Sequence, residues 1–111
     1  AEVLLMNAEA ANELGQSAQA IEALNRVRVR AGVQPSAATG QVALRTAIWN
    51  ERRVELAFEH DRTFDLRRQG RAGAVLRAHG KPYVDGKHDL FPIPQRQIDL
   101  SGGKLTQNPG Y

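Results

Sequence analysis

The sequence has 111 residues, of which 41% are hydrophobic and 24% are charged, a composition typical of one small globular domain. It contains no cysteine, which excludes a disulfide-stapled scaffold, a thiolate metal site and a cysteine nucleophile. Fifteen lysines and arginines outnumber twelve acidic residues, so the net charge is +3. No apolar run reaches the roughly 18 residues that a membrane-spanning helix needs.

The first 31 residues predict two helices joined by a short turn. The first helix covers about residues 1–14, and the second runs from the capping residue Ser17 to about Ala31, with Gly15 and Gly32 as C-caps. Their apolar stripes consist of Leu4, Ala8, Ala11 and Leu14, and of Ala20, Ile21, Leu24, Val27 and Ala31. So short a turn makes the helices antiparallel, as in a tetratricopeptide-like hairpin. Because no capping residue precedes the first helix, we expect a piece of a longer protein.

A third helix is predicted from Gln41 to about Phe58 or Glu59, and its apolar face includes two acids. Placing residues 100° apart puts Glu51 and Glu55 on the same arc as Ala43, Leu44, Ala47, Ile48, Val54 and Phe58. Burying an unpaired charge costs several kcal/mol, so both carboxylates are expected to pair with arginines. The next segment offers Arg62, Arg67 and Arg68. The alternating run 26–30, RVRVR, is interpreted as a solvated helix face.

Two short helices, about 62–69 and 71–79, complete an all-α region that is expected to end at residue 80. Residues 81–111 hold four of the five prolines and are expected to form an extended tail that wraps the helices. Pro92 and Pro94 forbid helix there, and Asp85-Gly86 indicates a turn with a small hairpin. The expected apolar anchors of the tail are Phe91, Ile93, Ile98, Leu100 and Leu105.

The side chains that could carry chemistry each have a simpler structural interpretation. Glu51 and Glu55 resemble a glycosidase acid and nucleophile, but a carboxylate paired with arginine stays ionised and is a poor general acid. The histidines His60, His79 and His88 share no helix face, and the DGKHD segment matches no metal-binding loop, so a solvated turn is favoured over a cation site. Trp49 lies off the apolar arc and could stack on a sugar or a base, although packing against a further part of a larger protein is favoured.

The positive charge is concentrated in residues 41–81, which carry nine basic and five acidic side chains. Such a patch could bind nucleic acid, with an affinity that falls steeply with salt. However, the arginines alternate with acids along the sequence, a pattern typical of internal pairing. Internal pairing is therefore favoured over a nucleic-acid partner.

Five ordered blocks give the sequence a specific resemblance. AEVLLMNAEAANELG, AIEALNRVRVRAG, LRTAIWNERRVELAFEHDRTFDLRRQG, FPIPQRQID and LTQNPGY resemble the C-terminal region of SusD/RagB family proteins, and the match covers residues 1–111. The sequence departs from the family at His60-Asp61, where the family often has a glycine.

This resemblance implies the C-terminal part of a SusD/RagB-like domain: an all-α, tetratricopeptide-like scaffold without catalytic activity, cofactor or metal. It implies a glycan or other nutrient as ligand, and as partners a SusC-like TonB-dependent transporter and the remainder of the same polypeptide, but no nucleic acid. It also implies a surface-exposed outer-membrane lipoprotein whose lipid anchor lies outside this sequence. A stand-alone tetratricopeptide-like interaction module is the alternative.

The resemblance assigns no ligand-binding residue, because the ligand surface of the family is built largely from loops outside this region. It does match a charged block to which we assign a structural ion-pair network. The block consists of Glu51, Arg52, Arg53, Glu55, Glu59, Arg62, Asp65, Arg67 and Arg68. On this basis Glu55→Ala is expected to destabilise the fold by about 3–5 kcal/mol, because it strands a buried partner charge.

Overall fold

The structure is a computed structural model that describes all 111 residues. It contains six helices and no strands, which confirms the predicted all-α fold class. The helices are α1 (Glu2–Glu13), α2 (Ser17–Arg30), α3 (Gln41–Glu55), α4 (Arg62–Arg68), α5 (Ala72–Ala78) and α6 (Gln95–Leu100). The longest has 15 residues, and no helix combines the length and apolar character needed to traverse a lipid bilayer. The chain divides into two compact units, Ala1–Arg62 and Thr63–Tyr111.

The first unit is built on a core shared by α1, α2 and α3. Each helix contributes buried apolar residues to this core, and all of them are at most 4% exposed. They are Leu5, Ala8, Ala11, Ala20, Ala23, Leu24, Val27, Leu44 and Ile48. Four of the nine are alanines on α1 and α2, which lets these two helix backbones approach closely. The core thus supports the hairpin and packs α3 against it.

Glycines end both helices of the hairpin, as the sequence predicts. Gly15 has a φ of +76°, its N–H donates to the Asn12 carbonyl, and the Gln16 N–H donates to the Ala11 carbonyl. This pair of hydrogen bonds is a Schellman motif, and Gly32 and Val33 form the same motif after α2. The prediction that Ser17 caps α2 is wrong, since the N-cap position is Gln16 and no side chain caps it.

The predicted apolar faces are wrong at the helix ends. Leu14 is 74% exposed, and Leu4 is only half-buried, whereas its neighbour Leu5 is fully buried. Helix α3 ends at Glu55, before the predicted end at Phe58 or Glu59. Val54, inside α3, and Phe58, beyond its end, are both exposed. Phe58 and His60 both have positive φ, a backbone state incompatible with continuing the helix. Ala31 and Ala43, also predicted to face the core, are exposed.

The second unit has a smaller core of Leu66, Ala72 and Tyr83, with Val75 and Leu76 packed against it. Two sequence predictions about residues 81–111 are wrong. The turn predicted at Asp85-Gly86 is present, but no strands flank it as a hairpin would require, and α6 forms directly after Pro94 in a segment where helix was expected to be forbidden. Proline restricts its own φ and the residue before it, so a helix can begin immediately after it.

The expected anchors of residues 81–111 are only partly buried. Ile93 and Ile98 are half-buried, whereas Phe91, Leu100 and Leu105 are exposed. Polar side chains hold this segment instead: the Gln107 amide accepts from the Ile93 N–H and donates to the Ile93 carbonyl. Wrapping of the helices by this segment stays a prediction.

Candidate functional site

Two arginine–glutamate pairs connect α2 with α3 at the edge of the first core. Arg28 Nη1 lies 2.5 Å from Glu51 Oε2, and Arg30 Nη2 donates to Glu55 Oε1. The first pair is largely sheltered, with side-chain exposures of 25% for Arg28 and 11% for Glu51. In the second pair Glu55 is 16% exposed but Arg30 is 64% exposed. Both acids therefore lie on the partly buried face and are paired, as the helical period requires.

The partners of these acids lie in residues 26–30 of α2, which the sequence predicts to be a solvated helix face. Arg28 follows Leu24 by four positions, and Glu51 follows Ile48 by three, so each lies next to a core residue on its own helix. Arg28 is fixed further by its Nε, which donates to the Gln34 carbonyl at 2.9 Å. A helical wheel centred on Leu24 places Arg28 next to the core, but it does not identify the acid that Arg28 contacts.

The remaining members of the predicted nine-residue network lie in different surroundings. In the first unit Arg52 is buried, Arg53 and Glu59 are exposed, and Arg62 is half-buried. In the second unit Asp65 is 4% exposed and pairs with Arg68 at 2.8 Å. Arg67 donates to the His88 carbonyl at 2.6 Å, and its guanidinium lies 4.6 Å from the centre of the Phe91 ring. A single network joining all nine residues stays a prediction.

A second set of polar contacts connects α1 with α3. Arg45 binds both carboxylate oxygens of Glu13, at 2.6 and 2.5 Å, and these bonds lower the pKa of Glu13. One turn away, Trp49 donates its indole N–H to Glu9 at 3.0 Å. Trp49 is half-buried, so part of the ring is accessible. The indole is thus oriented by α1, and a stacking role toward a ligand is not required to explain its position.

The DGKHD turn of the second unit uses its polar side chains internally. The Tyr83 hydroxyl donates to Asp89 at 2.6 Å, and the second Asp89 oxygen accepts from the Gly86 N–H at 2.6 Å. His88 Nδ1 accepts from the Val84 N–H at 2.9 Å. Asp85 pairs with Arg77 at 3.0 Å. These contacts point the three side chains considered for a cation, Asp85, His88 and Asp89, toward different partners.

The hydrogen bond from Tyr83 to Asp89 shifts both groups. It raises the pKa of Tyr83, with burial adding to the effect. It also lowers the pKa of Asp89, together with the hydrogen bond from Gly86. The turn is therefore most stable with a neutral phenol and an ionised carboxylate.

A shallow depression of about 640 Å³ lies along the outer side of α2. Its lining residues all belong to that helix, and they are Glu22, Asn25, Arg26, Val29 and Arg30. A surface formed by one helix cannot enclose a small molecule in the way that most ligand pockets do. The first-unit helices are fixed to one another by a small core and by polar contacts at its edges.

Known proteins resemble the chain over its entire length. The profile of the SusD family matches residues 1–111. SusD-like protein P2 of Formosa agariphila is 36% identical over 124 residues, which cover 100% of this chain and 25% of that protein. SusD-like protein P25 of the same organism is 42% identical over 128 residues, which cover 100% and 24%.

A solved structure shows the same arrangement of helices. The crystal structure of a SusD homolog from Bacteroides thetaiotaomicron superimposes with a TM-score of 0.80 at 32% identity, covering 98% of this chain and 25% of that one. The chain therefore spans about a quarter of the length of the relatives that it matches. Whole-chain sequence similarity and a shared fold lead to one conclusion: this chain belongs to the SusD family.

Proposed function

We propose that this chain is the C-terminal scaffold portion of a non-catalytic glycan- or nutrient-binding subunit of an outer-membrane, TonB-dependent uptake system. The observation that carries the proposal is membership in the SusD family over residues 1–111, together with the matching helical fold. SusD-like proteins are generally carbohydrate-binding and not enzymes. The paired state of Glu51 and Glu55 is consistent with a structural rather than a catalytic role for these acids.

The remainder of the same polypeptide is the first partner that we propose. Helix α1 has a second apolar stripe opposite its core face, made of Val3, Met6, Ala10 and Leu14, all exposed. A contiguous exposed apolar patch typically marks a surface on which another part of the protein packs. The matched relatives contain about three times as much additional chain, which is ample to cover this stripe.

Glycan binding is tested on the complete protein encoded by the source gene. Affinity electrophoresis through gels containing starch, xylan, pectin, laminarin or alginate should show retardation by at least one polysaccharide. Incubation with the same polysaccharides should release no reducing sugar. Unretarded migration in every gel would contradict glycan binding, and release of reducing sugar would contradict the non-catalytic role.

The transporter and the location require a separate experiment. We propose a SusC-like TonB-dependent transporter as partner and a lipid-anchored position on the outer surface of the outer membrane. Detergent extracts of the source organism should yield both proteins in one complex, and external protease should remove the protein from intact cells. Purification without any transporter, together with full protection from protease, would favour the alternative of a stand-alone tetratricopeptide-like module.

A further inference from the structure

Asp85 is followed directly by Gly86, and glycine is the residue that hinders cyclisation of an aspartate side chain onto the backbone least. In a flexible peptide the backbone nitrogen that follows an aspartate can attack the side-chain carboxyl carbon, and a glycine at that position has no Cβ to obstruct the approach. Asp85 is exposed, with 68% of its side chain accessible, and Gly86 adopts a φ of +82°. The Asp-Gly sequence and the exposure of Asp85 would by themselves make this site prone to such cyclisation.

Four contacts oppose that reactivity. Arg77 Nη1 donates to Asp85 Oδ2 at 3.0 Å and to the Tyr83 carbonyl at 3.1 Å, which ties the carboxylate to its own turn. The other oxygen, Oδ1, packs against Gly73 of α5, where a Cβ would lie only 2.2 Å away. The Gly86 N–H donates to Asp89 Oδ2 at 2.6 Å. Both reacting groups are therefore engaged elsewhere.

We propose that Asp85-Gly86 is a latent isoaspartate-forming site that Arg77 and Asp89 hold inactive in the folded chain. In the reaction the Gly86 nitrogen forms a bond to Asp85 Cγ, and a Cγ–O bond breaks. That oxygen leaves as water with the amide proton and one proton from the carboxyl group. A second water then opens the succinimide at its main-chain carbonyl, so that the backbone continues through the β-carboxyl group. No oxidant or other co-reactant is needed.

The pairing with Arg77 opposes this reaction because a charge-assisted bond fixes the orientation of the carboxylate and holds it away from the Gly86 nitrogen. The bond to Asp89 opposes it because the Gly86 nitrogen must lose its proton to attack. If the reaction did occur, one extra backbone carbon would enter the turn between Tyr83 and Asp89. The Tyr83–Asp89 bond would not survive that insertion in its present geometry.

The test compares the folded 111-residue chain with the synthetic peptide 81–91 at pH 7.4 and 37 °C, with isoaspartate measured by peptide mapping. We expect the chain to react at least roughly tenfold more slowly, the factor that one charge-assisted hydrogen bond contributes. Arg77→Gln should accelerate the reaction several-fold. Gly73→Ala should do the same without unfolding, because its Cβ displaces only the movable ends of Asp85 and Arg77 while alanine favours the helix.

Arg96→Gln serves as the control, since Arg96 is exposed on α6, and it should leave the rate unchanged. Circular dichroism at the assay temperature establishes that each variant is folded. Equal rates in the wild-type chain and the peptide would overturn the proposal without any variant. A folded Gly73→Ala chain that reacts no faster than wild type would overturn the role of the Arg77 contact.

Discussion

Arg28 on α2 and Glu51 on α3 form an ion pair whose two side chains are both mostly sheltered from solvent. Glu55, one turn further along α3, pairs with the much more exposed Arg30. The two pairs have the same chemistry but different burial, and burial determines what is lost when the acid is removed. When its acid is removed, a sheltered arginine is left as an unpaired charge with a desolvation penalty, whereas an exposed arginine reorients and is hydrated by solvent.

We expect Glu51→Ala to destabilise the chain by about 3 kcal/mol, and Glu55→Ala by only about 1 kcal/mol. The second value revises the estimate from the sequence alone, which treated both acids as equally buried. Urea unfolding followed by circular dichroism measures both. A double-mutant cycle with Arg28→Ala should show coupling to Glu51→Ala and little coupling to Glu55→Ala. Equal losses in the two single variants would contradict the role assigned to burial.

His60 should be a source of backbone strain. His60 is exposed and has a φ of +68°, a conformation that costs an L-residue about 1–2 kcal/mol and glycine almost nothing. We expect His60→Gly to stabilise the chain by about 1 kcal/mol. Ala10→Gly, at an exposed position inside α1, is the matched control and should cost about 1 kcal/mol. A lower melting temperature for His60→Gly would show that this backbone conformation carries no strain.

The hydrogen bond between Tyr83 and Asp89 in the second unit predicts how Tyr83 titrates at alkaline pH. The hydrogen bond to Asp89 raises the pKa of Tyr83 above the ordinary value of about 10. Because the fold favours the neutral phenol, its contribution to stability is complete below that ordinary value and is lost as the pH rises through the raised pKa of the folded chain. Absorbance at 295 nm, with Tyr111→Phe used to assign the signal, should show Tyr83 titrating late. In Asp89→Asn it should titrate earlier, and an unchanged curve would contradict the hydrogen bond.

Low pH should also destabilise this turn, through protonation of Asp89. The bonds from Tyr83 and Gly86 lower the pKa of Asp89, so its contribution is complete above the unfolded value of about 3.9 and is lost as the pH falls through the folded value. The melting temperature of the wild-type chain should therefore decline more steeply below pH 4 than that of Asp89→Asn. Parallel declines would indicate that Asp89 forms no such bonds in solution.

How much the sequence could predict depended on the range of the interaction. Local signals were reliable: the glycine after each helix of the hairpin and the 3.6-residue period of α2 correctly gave element type and most of the core. The ion-pair partners could not be predicted in the same way. The partner of Glu51 lies 23 positions upstream, and nothing in a single sequence shows that Glu51 contacts Arg28 rather than an arginine downstream. The early end of α3 was also beyond reach, since it depends on two non-glycine residues in left-handed backbone conformations.

The C-terminal segment should depend on one amide side chain. Gln107 both accepts from and donates to the Ile93 backbone, at 2.8 and 2.9 Å, so it substitutes for a neighbouring strand. Gln107→Ala removes both bonds, and we expect the Ile93 amide hydrogen to exchange roughly tenfold faster, the factor that one lost hydrogen bond represents. Gln95→Ala removes an exposed side-chain bond to Asp99 on α6 and should leave exchange at Ile93 unchanged. Hydrogen exchange followed by NMR measures both variants, and equal protection of Ile93 in the two would show that apolar packing, rather than Gln107, holds this segment.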